Sequence, residues 1–333
     1  MRTARGTCFG LAFALLVACN GGTTTGDGSA PPISDKGTGE GVGADGAAAD
    51  AAAKDAAAYD LANADAPPAT FPPGDWISVP AGTFLMGSPS NEYCRDDDET
   101  QHSVTVTGSF EMAKTEVTQA QFTAVMGYNP AYHATCGPTC PVEWVSWHEA
   151  AVYCNRLSEA KGLTRCYSCT GKAPASDCDM APAYQGAGKL HACPGYRLPT
   201  EAEFEHALRA GTTTPFYSGA ITSCMGTSSN AGKIGWYKVD SGGSVHPVAG
   251  KTANTFGLHD LSGNVYEWVN DWYQADLGSA PAKDPTGPAS GTHRVFRGGA
   301  WYYNAEHMRS ANRLSFFPGK RFTFLGFRCV RSL

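Results

Sequence analysis

The sequence predicts an α+β domain with little regular secondary structure for its size. Three observations lead there. Glycine (39) and proline (21) are abundant among 333 residues and only 17% are charged, which argues against coiled coils and helical repeats. Three helix starts are written locally as capping boxes. Strand-like runs are short and scattered, at 103–107, 295–297 and 327–330, between turns rich in glycine, asparagine and aromatics.

Residues 1–18 read as a secretory leader, with Arg2 and Arg5 at its positive end and an apolar run from Phe9 to Ala18. The run ends in Leu16-Val17-Ala18-Cys19, which resembles the bacterial lipobox, where cleavage precedes a cysteine carrying diacylglycerol. A lipidated Cys19 would anchor the chain in the bacterial cell envelope, since several acyl chains hold far more firmly than one. Asn20 behind it points to the outer membrane. Residues 19–75 form a tether of Gly, Ala, Thr, Ser, Pro and Asp. Between 20 and 75 it holds nine acids against two bases and almost no large apolar groups. Such a segment buries too little surface to offset its ordering entropy, so it reads as a self-repelling, solvated spacer.

Residues 76–333 are globular and close to neutral, without the electrostatic footprint of a nucleic-acid binder. Helices start at Thr118-x-x-Gln121, Ser146-x-x-Glu149 and Thr200-x-x-Glu203, where a hydroxyl meets an amide three residues on and the Glu or Gln reaches back. On the second helix Trp147, Ala150, Ala151, Cys154 and Leu157 share one face, and Gly162 lies just past its end. The third runs over 201–209. The acidic run Asp96-Asp97-Asp98-Glu99 reads as a solvated surface loop, with a cation site as the lesser reading. No G-x-S-x-G elbow, Walker loop or H-E-x-x-H motif is present.

The ordered landmarks are specific. They are Phe84-Leu85-Met86-Gly87-Ser88, Lys114-Thr115-Glu116-Val117-Thr118 and Pro141-Val142-Glu143-Trp144-Val145-Ser146-Trp147. Tyr196-Arg197-Leu198-Pro199-Thr200-Glu201-Ala202-Glu203-Phe204-Glu205 and Gly257-Leu258-His259-Asp260-Leu261-Ser262-Gly263-Asn264-Val265-Tyr266-Glu267-Trp268 follow. Arg297-Gly298-Gly299-Ala300-Trp301 and Leu325-Gly326-Phe327-Arg328-Cys329 close the set. In this order residues 76–333 resemble the formylglycine-generating enzyme, or sulfatase-modifying-factor, family. The resemblance implies a C-type-lectin-like α+β fold. It also implies an oxidase that converts a sulfatase cysteine to formylglycine with copper held by two cysteines, a pairing that suits soft Cu(I). Here Tyr303 stands where the first copper cysteine belongs, the second has no counterpart, and Ala300 replaces the family serine. Copper is therefore not expected, and no catalytic residue is assigned. His307 and Met308 read as surface turn residues rather than substitute ligands. The iron-dependent branch of the family needs a histidine triad that the nine histidines do not form.

The resemblance further implies structural calcium. One site would use Asp260, Gly263, Val265 and Glu267, hard oxygen donors on one tight turn; the competing reading pairs Glu267 with an arginine such as Arg297. A weaker site would use Asn230, Ala231, Asp240 and Gly242. A family disulfide maps onto Cys154 and Cys329. A leader implies an oxidising compartment, so the domain cysteines read as bridges. For the inserted loop the favoured pairs are Cys166–Cys193 and Cys169–Cys178, with zinc as the alternative; a Cys136–Cys140 bridge fits a tight loop. The functional expectation is a membrane-anchored binding module for a protein, peptide or glycan, with Trp301, Tyr302 and Tyr303, and Trp236 beside them, lining the old substrate groove. The alternatives are an oxidase with non-standard ligands and an envelope protein that binds no small ligand.

Overall fold

The first and last strands of the domain meet in one sheet. The structure, a computed structural model, describes residues 75–186 and 188–333. The leader, Cys19 and all but the last residue of the expected tether lie outside them. In chain order the strands and α-helices are β1 (Trp76–Val79), β2 (Gly82–Met86), β3 (His102–Val106), β4 (Phe110–Ala113), α1 (Gln119–Met126), α2 (Trp147–Ala160), β5 (Tyr167–Thr170), β6 (Asp177–Met180) and β7 (Tyr196–Arg197). There follow α3 (Glu201–Arg209), α4 (Ser229–Ile234), β8 (Tyr266–Trp272), β9 (Ala282–Lys283), β10 (Arg294–Arg297), β11 (Leu314–Phe316), β12 (Leu325–Phe327) and β13 (Val330–Ser332).

One sheet has the order β1-β4-β13-β7, with Val330 opposite both Met112 and Arg197. A second has the order β11-β10-β8-β12, with β12 parallel to β8 and Leu325 opposite Tyr266. Strands β2, β3 and β9 form a third sheet, and β5 and β6 a hairpin. The expected strand at 327–330 is in fact two. Phe327 ends β12 and Val330 opens β13 in the other sheet, and between them the Arg328 guanidinium turns inward to Glu267. That contact spans 61 residues of sequence and is invisible to a local reading.

All three predicted helices carry complete capping boxes, at Thr118/Gln121, Ser146/Glu149 and Thr200/Glu203. The predicted face of α2 is buried throughout. Helix α3 matches 201–209 and closes through Ala210 in the left-handed region, one residue before the glycine. It is buried all round, although five of its nine residues are ionisable. Its apolar members Phe204, Ala207 and Leu208 join Val79, Phe110, Met112, Leu261, Val269, Val295 and Val330 in the main core. Among the described residues no helix is long and apolar enough to cross a membrane.

Gly235 marks a close backbone crossing. A Cβ there would lie 1.6 Å from the Ser262 carbonyl oxygen, and its extended φ shows that space, not conformation, requires glycine. Gly235→Ala is expected to cost about 1–3 kcal/mol or more by overpacking. A denaturant midpoint equal to wild type would contradict this.

Candidate functional site

Helix α3 is an acidic rod held by arginines from distant segments. Glu201 accepts from Arg313 Nε (2.5 Å), Arg313 Nη2 (2.8 Å) and Arg297 Nη1 (3.1 Å). Glu205 accepts from Arg297, Arg209 and the Gly87 amide. Glu203 forms a bidentate pair with Arg197 at 2.7 Å. Burial alone would raise the Glu203 carboxyl, but the Arg197 guanidinium outweighs it and holds it well below the usual range. The second half of the acidic run at 96–99 is built into the interior and corrects the solvated-loop expectation there, while Asp97 is exposed. Glu99 is buried and bidentate to Arg309, and Asp98 is buried and accepts from the Tyr273 hydroxyl.

Asp271 is the exception. It is buried, accepts the Glu201 amide at 3.0 Å, and is pushed well up by burial and by the charge of Glu201. The folded state thus keeps a proton that the unfolded chain releases near pH 4. This group's contribution falls as pH rises from that value through the raised folded pKa. Asp271→Asn keeps an acceptor and cannot ionise. Its melting temperature should gain on wild type progressively from pH 4 to pH 8, and parallel melting curves across that range would contradict the assignment.

The segment after Gly298-Gly299 reaches the position that the resemblance assigns to copper. Both glycines have positive φ, and a Cβ on either would meet a carbonyl at 2.9 Å. Tyr303 is buried, with its ring edge-on to Tyr266 (5.3 Å), Phe324 (5.1 Å) and His307 (4.9 Å). Its hydroxyl and that of Tyr266 are buried without a hydrogen-bond partner, and burial raises the Tyr303 phenol. Trp301 is buried too, donating its Nε1 to the Thr323 carbonyl. Of the expected groove, Tyr302 and Trp236 are half-buried, the latter stacked on His246 at 3.8 Å; Trp301 and Tyr303 are packing residues. Met308 is fully buried, so it is no surface turn residue.

Sequence reasoning missed a rim beside Trp301. His133 packs edge-on to Trp301 (5.2 Å), and its backbone amide donates to the buried Glu143 at 2.6 Å. Tyr132, 60% exposed, and Trp144 stand next to it, the latter at φ +63°. Glu143 and Trp144 lie within a quoted motif, but the motif does not reveal that Trp301, over 150 residues away, closes the site.

At the first calcium turn the structure gathers Asp260 and Glu267 and adds Glu116, which the sequence reading did not assign. Glu267 is bidentate to Arg328 at 2.7 Å, not paired with Arg297. Asp260 accepts the Ala249 amide with Oδ2, while its buried Oδ1 has no partner. Glu116 accepts from Asn264 Nδ2 and the Val265 amide. Burial raises all three carboxyls, and the neighbouring acids push Glu116 up further. Three buried acids thus face one arginine and one carboxylate oxygen is left without a partner, although the ligand atoms of the three do not all draw within 4.8 Å of one another. The second site does not fit. Lys251 Nζ already bonds Asp240 Oδ2 and the Gly232 carbonyl at 2.8 Å, and Lys233 donates to Asn230.

Disulfides join Cys166–Cys193 and Cys169–Cys178, as favoured, which removes the zinc alternative. Cys136–Cys140 is also bridged, and Cys94–Cys224 is added. Cys154 and Cys329 are not joined; their buried sulfurs face each other at 3.0 Å.

A family model for the sulfatase-modifying factor enzyme 1-like domain matches residues 62–333. The chain is 27% identical over 286 residues to the formylglycine-generating enzyme of Thermomonospora curvata, covering 76% of this chain and 92% of that protein. It is 36% identical over 153 residues to the serine/threonine-protein kinase pkn1 of Chlamydia caviae. That match covers 45% of this chain and 23% of the kinase, so the chain spans less than a quarter of that relative's length. Among solved structures, Treponema denticola variable protein 1 superposes with a TM-score of 0.64 at 31% identity, over 78% of this chain and 95% of that one.

Proposed function

Because this chain belongs to the family of sulfatase-modifying factor enzyme 1-like domains, we propose that it is a lipid-anchored envelope protein whose domain recognises a protein, peptide or glycan and does not oxidise it. The observation that carries this reading is Tyr303. A packed phenol fills the position that the resemblance gives to a copper thiolate, among the rings of Tyr266, Phe324 and His307. The nearby sulfurs, Cys94 and Cys224, are tied to each other. The recognition face is the rim of Tyr132, His133, Trp144 and Tyr302, where partly exposed aromatics offer area at low entropic cost. Cys19 supplies the outer-membrane anchor and the tether the reach. Cys154 and Cys329 close to a bridge in that oxidising compartment.

Calcium acts here as a structural ion. Asp260 and Glu267, with the carbonyls of Gly263 and Val265, would hold it, and it would supply positive charge to the acids that Arg328 alone does not balance. Added calcium should raise the thermal midpoint at neutral pH by mass action. A chelator should reverse the shift and Asp260→Asn abolish it; a midpoint indifferent to calcium would contradict the role.

The competing reading, an oxidase with other ligands, draws on the formylglycine-generating relatives. Cu(I) titration of the chain with its disulfides intact separates the two. The binding reading expects no stoichiometric uptake; one tight equivalent that is lost in Tyr303→Phe would overturn it.

A further inference from the structure

Beside the Tyr303 segment, the sulfurs of Cys94 and Cys224 and a carboxylate oxygen of Glu306 lie within 4.8 Å of one another, the one such group of three or more potential ligands among the described residues. Two independent links hold the three together. The Cys94–Cys224 bridge spans 130 residues with its Cα atoms 5.8 Å apart, and the Glu306 amide donates to the Cys224 carbonyl at 3.2 Å. The group opens to solvent, since all three residues are only partly buried and their neighbours Tyr93 and Met225 are 59% and 74% exposed.

We propose that Cys94, Cys224 and Glu306 form a redox-gated site for a thiophilic divalent cation of the zinc class. The gate is thiol–disulfide exchange. Two external thiols give up two electrons and two protons; the Cys94–Cys224 bond breaks, both sulfurs become thiols, and the external pair leaves as a disulfide. Zinc then displaces the two thiol protons and takes two thiolates and one carboxylate, with the fourth tetrahedral position left to water. Tetrahedral bonds of ~2.3 Å place two thiolates ~3.7 Å apart, a separation that side-chain rotation reaches from Cα atoms at 5.8 Å. Oxidised, the same atoms form a covalent tie between two exposed loops; reduced and loaded, they form a metal tie. The inference stands apart from the recognition reading, since it involves neither a peptide nor dioxygen.

The test uses the full chain, oxidised and after treatment with a dithiol, titrated with zinc against a chromophoric chelator. Cobalt(II) serves as a second probe through its thiolate charge-transfer band. The reduced wild type should bind one equivalent that the oxidised protein does not. Cys94→Ser/Cys224→Ser, reduced identically, should lose that equivalent, and Glu306→Gln should weaken it at least tenfold. Equal uptake by the double serine variant would overturn the proposal, because the metal would then sit on other cysteines. No uptake when mass mapping shows Cys94 and Cys224 as thiols would also overturn it. So would a Cys94–Cys224 bond that cannot be reduced while circular dichroism still reports the fold.

Discussion

Arg328→Met should destabilise the domain by about 3–5 kcal/mol, the usual cost of removing one partner of a buried ion pair. The arginine is fully buried, grips Glu267 with two hydrogen bonds, and also donates to the carbonyls of Ala113, Lys114 and His259. Methionine fills much of the volume but removes these hydrogen bonds and leaves Glu116, Asp260 and Glu267 without their cation. Total stabilities of about 5–15 kcal/mol make this a large fraction. Denaturant unfolding reads it directly. Adding Glu267→Gln should recover part of the loss, because a neutral side chain no longer demands a counter-charge. A single variant within about 1 kcal/mol of wild type would show that the pair is balanced by something else.

Glu201→Gln should be comparably damaging, at about 3–5 kcal/mol, for the opposite reason: it strands positive charge. Arg313 loses its bidentate anionic partner and is left with neutral ones, among them the carbonyls of Asp98 and Gln274, while Arg297 falls back on Glu205 and the carbonyls of Ser310 and Ala311. Glutamine preserves shape and an acceptor, so the loss reports charge rather than volume. Urea midpoints of wild type, Glu201→Gln and Glu201→Ala separate these terms. If the glutamine variant matched wild type, the arginines would be satisfied without an anion.

These two sites mark where the sequence becomes illegible. Capping boxes lie within four residues, and all three were readable because a hydroxyl and a Glu or Gln at fixed spacing have one local use. The inserted-loop disulfides were readable because four cysteines in 28 residues leave few pairings. Arg328 was not recognised as the partner of Glu267. Arg297 stands opposite Glu267 in the β10–β8 ladder, yet its guanidinium reaches across to α3. A residue's ladder position does not tell where a long, flexible side chain ends. The acidic run at 96–99 misled for a related reason: clustered acids usually mean solvent, but Arg309, over 200 residues on, folds against Glu99.

At the candidate site, the resemblance assigns Tyr303 to the position of a copper cysteine, but the burial of Trp301 and Tyr303 was not legible in the sequence. Aromatics beside a lost metal position read equally as a groove lining or as filling. Close ring packing around Tyr303 decides for filling, and the proposed recognition face is therefore the rim that Tyr132, His133 and Trp144 share with Tyr302. The rim is assembled from loops that only the tertiary fold brings together.

Incubating the oxidised chain with a sulfatase-motif peptide, copper and dioxygen, and weighing the peptide by mass spectrometry, bears most directly on the central claim. Recognition without oxidation predicts a peptide of unchanged mass at every time point. Turnover of its cysteine, seen as the mass loss of a thiol becoming an aldehyde and abolished by Tyr303→Phe, would contradict it.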